Sequence, residues 1–140
     1  MFRKMLLGYD GSAGAERALG VALELARLHG AELWALAVEE RLPHFAATVG
    51  EVEEEKEFAN QFYGERLTAA RERAAEAGIE LKTMLRPGHP ARTIVDVAKE
   101  GGFDLVVLGH SGRSEVWAMF LGTTAEKVSR HAPCSVLIVR

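Results

Sequence analysis

The chain has 140 residues, 48% of them apolar and 26% charged, a balance that excludes intrinsic disorder, collagen-like repeats and a disulfide scaffold and suffices for one hydrophobic core. A formal net charge of -3 supplies no basic face for a polyanion, so no nucleic-acid partner is expected. The lone Cys134 has no second thiol, the first apolar run stops at Gly8-Tyr9-Asp10, too short for a signal-peptide core, and no run reaches the roughly 20 apolar residues that span a bilayer. The expectation is a cytoplasmic protein with no membrane partner.

Apolar runs and helical periodicity alternate along the chain, the pattern of a mostly parallel sheet covered by helices. Lys4 to Tyr9 reads as the first strand. After Asp10-Gly11-Ser12, the positions Ala15, Ala18, Leu19, Ala22, Leu25, Ala26 and His29 recur at helical spacing, with Ser12 as N-cap and Gly30 in the left-handed turn that follows. Leu33 to Val38 is a continuous apolar run, as expected of a strand covered on both faces. The pattern breaks from Glu39 to about Gly50. A long helix then carries Phe58, Phe62, Leu67, Ala70 and Ala74 as its apolar positions and stops at Gly78. Its acidic opening, Glu51 to Glu57, reads as a solvated first turn favoured by the helix dipole, a cation site being the alternative. Ile79 to Leu85 forms the third strand; after Arg86-Pro87-Gly88-His89-Pro90, a helix runs from about Ala91 to Lys99. Leu105 to Leu108 is the fourth strand, a helix covers about Thr123 to His131, and Ser135 to Arg140 is the fifth strand.

No linker or repeat interrupts this order, so residues 1–140 read as a single domain. Right-handed crossovers that cover both faces require a doubly wound, Rossmann-like α/β sheet of order 3-2-1-4-5. Strands one and four then meet at the switch point, whose crevice receives Asp10-Gly11-Ser12, Gly109-His110-Ser111-Gly112 and Gly122-Thr123-Thr124. Gly109, Gly112 and Gly122 would allow close approach to phosphates, and Thr123 and Thr124 offer hydroxyls at a helix start. The alternative is a Thr123-x-x-Glu126 capping box with glycines that only turn the chain.

Neither the Walker pattern nor a Gly-x-Gly-x-x-Gly after the first strand is present, which argues against a Walker-type ATPase and an ordinary dinucleotide oxidoreductase. The histidines at 29, 44, 89, 110 and 131 lack metal-ligand spacing, and no Gly-x-Ser-x-Gly elbow supports a catalytic triad. No catalytic or metal-ligating residue is expected.

Gly-x-x-Gly from Gly109, nine residues and then Gly122-Thr123, together with Asp10-Gly11-Ser12, Asp104 to Gly109 and His131-Ala132-Pro133-Cys134, resembles the ATP-binding branch of the universal stress protein family over essentially the whole chain. The resemblance implies ATP, with adenine and ribose near Asp10 and Val38, Gly88 and Leu108 lining the base pocket, and phosphates over Gly109, Gly112, Gly122, Thr123 and Thr124. Mg²⁺ would arrive with the phosphates. Asp10 can accept ribose hydroxyls or cap its own turn. Arg113 would pair with phosphate charge, whereas His110 departs from the family's small residue and either meets phosphate or points into solvent. The function implied is a regulatory nucleotide-binding switch, the alternatives being a slow ATP hydrolase or nucleotidyl-transfer enzyme and a purely structural dimer. The apolar edge strand at 135–140 is expected to pair antiparallel with its copy in a homodimer, as the resemblance also implies.

Overall fold

The computed structural model describes residues 1–40, 48–110 and 123–140. Among them strands and helices alternate as β1 (Lys4–Gly8), α1 (Ala13–His29), β2 (Glu32–Glu39), α2 (Val49–Glu76), β3 (Leu81–Pro87), α3 (Pro90–Glu100), β4 (Leu105–Gly109), α4 (Thr123–His131) and β5 (Ser135–Val139). The strands are parallel in the order β3-β2-β1-β4-β5, as right-handed winding requires.

Side chains alternate across a strand, and here the alternation builds two apolar layers. Met5, Leu7, Leu33, Ala35 and Val107 face α1 and α2, where Ala18, Ala22, Ala26, Leu67, Ala70 and Ala74 meet them. Leu6, Leu36, Val106 and Leu108 face α3 and α4, against Ala91, Ile94, Ala98, Ala125 and Val128. The alanine stripe of α1 brings its backbone close to the sheet. Ser12 caps α1 by accepting from the Ala15 N–H at 3.2 Å, and Gly30 takes the left-handed conformation at its other end.

β1 and β4 run side by side in the register Met5↔Leu105, Leu6↔Val106, Leu7↔Val107. At their amino ends Asp104 accepts from the backbone N–H groups of Arg3 and Lys4 at 2.8 and 3.2 Å, while the Lys4 ammonium donates to Gly101 O at 2.7 Å. Register is thereby pinned at the end away from the switch-point crevice.

Two sequence expectations shift. β3 begins at Leu81 rather than Ile79, because the Ile79 N–H closes the exit of α2 onto Ala74 O at 2.9 Å, and it continues to Pro87 opposite Glu39. Phe58 is 69% exposed rather than in the core. The 28-residue α2 is about 42 Å long, against about 26 Å for the eight-residue β2, and its first turns, from Val49 to Phe58, are left largely exposed.

Gly109 ends β4 where α1 begins: a Cβ there would lie 2.9 Å from the backbone carbonyl carbon and oxygen of Gly14. Glycine at 109 is therefore a packing requirement in its own right. Gly109→Ala is expected to lower folding stability by about 1–3 kcal/mol, read as an earlier urea midpoint with unchanged slope. Wild-type stability in that variant would contradict the packing role.

Candidate functional site

A strand's last residues hand the chain to a helix whose first N–H groups have no intrahelical partner. Around one crevice β1 hands over to α1 and β3 to α3, and the described start of α4 joins them. α1 contributes Ser12 and Ala15, α3 contributes Pro90 and Ile94, and α4 contributes Thr123, Thr124 and Ala125 to the wall of a cavity of about 430 Å³, within the range of small-molecule sites. The partial positive ends of the three helices converge on it. The strands add Gly8, Leu36, Val38, Leu108 and Gly109, and the remaining lining comes from Tyr9, Asp10, Glu40, Tyr63 and His110. Leu36, Val38, Ile94 and Leu108 make an apolar wall suited to a flat ring, while the carboxylates and helix starts supply polar contacts.

Asp10, Val38, Leu108, Gly109, Thr123 and Thr124 thus come together at the switch point. Gly88 does not reach the cavity wall: its N–H donates to Glu39 O at 2.9 Å and its φ is 137°, and Pro90, two residues on, lines the cavity instead. Gly112, Arg113 and Gly122 lie outside the described residues.

The local readings of these residues resolve in part. Asp10 Oδ1 accepts from the Ser12 N–H at 2.9 Å, so the carboxylate does close its own turn. Its Oδ2 has no hydrogen bond among the described residues. Thr123 is helical in α4, and the Glu126 carboxylate pairs forward with Arg130 at 2.8 Å. His110 does not point into solvent: it is 7% exposed.

Sequence reasoning missed the support beneath Asp10. The Tyr9 N–H donates to Leu36 O at 2.9 Å, extending the β1–β2 pairing, and its buried hydroxyl donates to the Glu16 carboxylate on the first turn of α1. Glu16 Oε2 in turn meets Arg73 of α2 at 2.9 Å. Burial, reinforced by the hydrogen bond to Glu16, holds the Tyr9 hydroxyl protonated far above the usual tyrosine range. Nothing in local periodicity marks Glu16 and Arg73, 57 residues apart, as partners. A second cavity, of about 470 Å³, shares Asp10, Ser12, Glu40 and Tyr63 with the first and is bounded further out by Phe58, Phe62 and Arg66. Among the described residues no three carboxylate, imidazole or thiol side chains gather as a metal site would need, and no helix is long and apolar enough to cross a membrane.

The sequence model of the universal stress protein family matches residues 1–140. Universal stress protein YxiE of Bacillus subtilis is 38% identical, with the whole of both chains covered. Among solved structures, universal stress protein UspA from Lactobacillus plantarum superposes with a TM-score of 0.85 at 30% identity, covering 99% of this chain and 98% of that one. A universal stress protein in complex with cAMP superposes with a TM-score of 0.77 at 25% identity over 99% of this chain and 97% of its own.

The Tyr9 anchor has a pH signature. As pH rises through about 10, the unfolded chain releases the tyrosine proton while the folded protein retains it, so this group's contribution to stability is lost with increasing pH. Urea unfolding between pH 9 and 11 is expected to show a shallower decline in Tyr9→Phe than in wild type. Equal slopes would contradict a buried, proton-retaining Tyr9.

Proposed function

The chain belongs to the universal stress protein family, and on that premise we propose that it is a cytoplasmic ATP-binding protein, a single nucleotide-binding domain over residues 1–140 whose ligand controls its choice of partner. The observation that carries this reading is the cavity at the β1–β4 switch point, where six residues singled out from sequence meet three helix N-termini. Adenine sits against Val38 and Leu108. The ribose hydroxyls donate to Asp10, whose carboxylate has acceptor capacity beyond its bond to Ser12. The phosphates lie at the opposite side of the crevice, over Gly109 and the first turn of α4 at Thr123 and Thr124, with Gly112, Arg113 and Gly122 completing the cradle and Mg²⁺ carried by the phosphates. The cAMP complex of a structural neighbour supports the adenine-nucleotide class. Control of partner choice requires states of different ATP affinity.

The edge strand β5 pairs with β4 on one side, and Val136 to Val139 are only half-buried. An antiparallel copy of the same strand covers them in a homodimer.

Native mass spectrometry in the presence of ATP reads both parts of the proposal. The expected species has twice the chain mass and carries one ATP per chain, and Asp10→Ala weakens binding roughly tenfold, the worth of one hydrogen bond to a charged group. A wild-type protein that takes up no nucleotide at millimolar ATP would contradict the function, and a monomer would contradict the dimer.

A further inference from the structure

We propose that His110 reads the phosphate charge of the bound nucleotide, its imidazole donating to a phosphate oxygen seated on the first turn of α4; the inference rests on the nucleotide-binding reading above.

Position comes first. Val106 and Leu108 face the α3–α4 layer, and strand alternation carries His110 to the same side, where Thr123, Thr124 and Ala125 also line the cavity. The His110 N–H donates to Val139 O at 2.7 Å, which extends the β4–β5 pairing by one residue and fixes where the side chain leaves the backbone. The backbone donor is thereby spent, and the ring is the group left to meet a ligand.

Burial comes second. His110 is 7% exposed and lines the cavity, yet no hydrogen bond from a described residue reaches its ring. Imidazole carries at least one N–H in either neutral tautomer and two in the cation, so it can donate in any form.

Charge comes third. Asp10 and Glu40 are the carboxylates of the cavity wall, and among its described residues there is no lysine or arginine. His110 is the one basic side chain these residues offer an anionic ligand. The carboxylates disfavour phosphate on their side of the crevice, while the Thr123 and Thr124 hydroxyls, which line the cavity together with His110, offer donors there. A neutral nucleoside would engage the apolar wall and Asp10 without calling on the imidazole.

The test is isothermal titration calorimetry of wild type, His110→Phe and His110→Gln with ATP and with adenosine, after a thermal melt establishes that each variant folds. His110→Phe keeps a flat ring and removes the donor. It is expected to weaken ATP roughly tenfold while leaving adenosine affinity unchanged, and His110→Gln, which restores an N–H, should recover most of the loss. If the phenylalanine variant does not fold, His110→Ala carries the same comparison. Equal losses for ATP and adenosine would assign His110 to packing and overturn the proposal, as would unchanged ATP affinity. If wild type binds neither ligand, the nucleotide-binding reading fails first, and that result is distinct from the other two.

Discussion

The pairing of β1 with β4 is the constraint from which the rest of the architecture follows. These strands are distant in sequence, and their adjacency arises because the chain first winds outward through β2 and β3, then returns across β1 to β4 and β5. The helix after β1 packs on one face of the sheet and the helix after β4 on the other, so the chain parts at their carboxyl ends and leaves a crevice. Asp104 holds the opposite ends of the two strands together through the Arg3 and Lys4 backbone. Gly109 lets the end of β4 approach the first turn of α1 to a distance that any Cβ would prevent. One end is tied and the other is open, and Asp10, Val38, Leu108, Gly109, Thr123 and Thr124 lie at the open end.

The crevice balances two kinds of charge. Asp10 and Glu40 place negative charge on its wall, whereas the starts of α1, α3 and α4 turn partial positive charge inward. An anion alone would meet repulsion from the carboxylates, and an apolar molecule alone would leave the helix N–H groups unanswered. A nucleotide satisfies both, with hydroxyls toward a carboxylate, a ring against Leu36, Val38, Ile94 and Leu108, and phosphates at a helix start. The Tyr9–Glu16–Arg73 chain holds the β1–α1 turn that presents Asp10 and ties it to α2, so this wall of the site is stiffened from below.

What could be read in advance depended on the range of the interaction involved. Strand order followed from local periodicity and the handedness of crossovers, and Ser12 and Gly30 marked the ends of α1 because caps are encoded within a few residues. β3 starts two residues later than its apolar run suggests because Ile79, apolar and next to a strand, serves the helix through its backbone N–H. Phe58 was expected inward because spacing gives a helix face but not where the sheet beneath it ends. At the site, Asp10, Val38, Leu108, Gly109, Thr123 and Thr124 were legible from topology and family likeness, whereas Pro90, Ile94 and Tyr63 reach the cavity only through tertiary packing. The burial of His110 is of the same kind: it follows from how β4, β5 and α4 come together, not from any neighbouring residue in sequence.

The central claim is that the β1–β4 crevice is where the nucleotide sits, and the most direct measurement is an amide NMR titration of the ¹⁵N-labelled protein with ATP. The account predicts that the largest shifts fall on Tyr9 to Ser12, Val38, Gly109, His110 and Thr123 to Ala125, with Arg3, Lys4 and Asp104 at the tied end unmoved. Shifts confined to the outer face of α2, around Gln61, Glu65 and Thr68, or to the tied end of the sheet would contradict it.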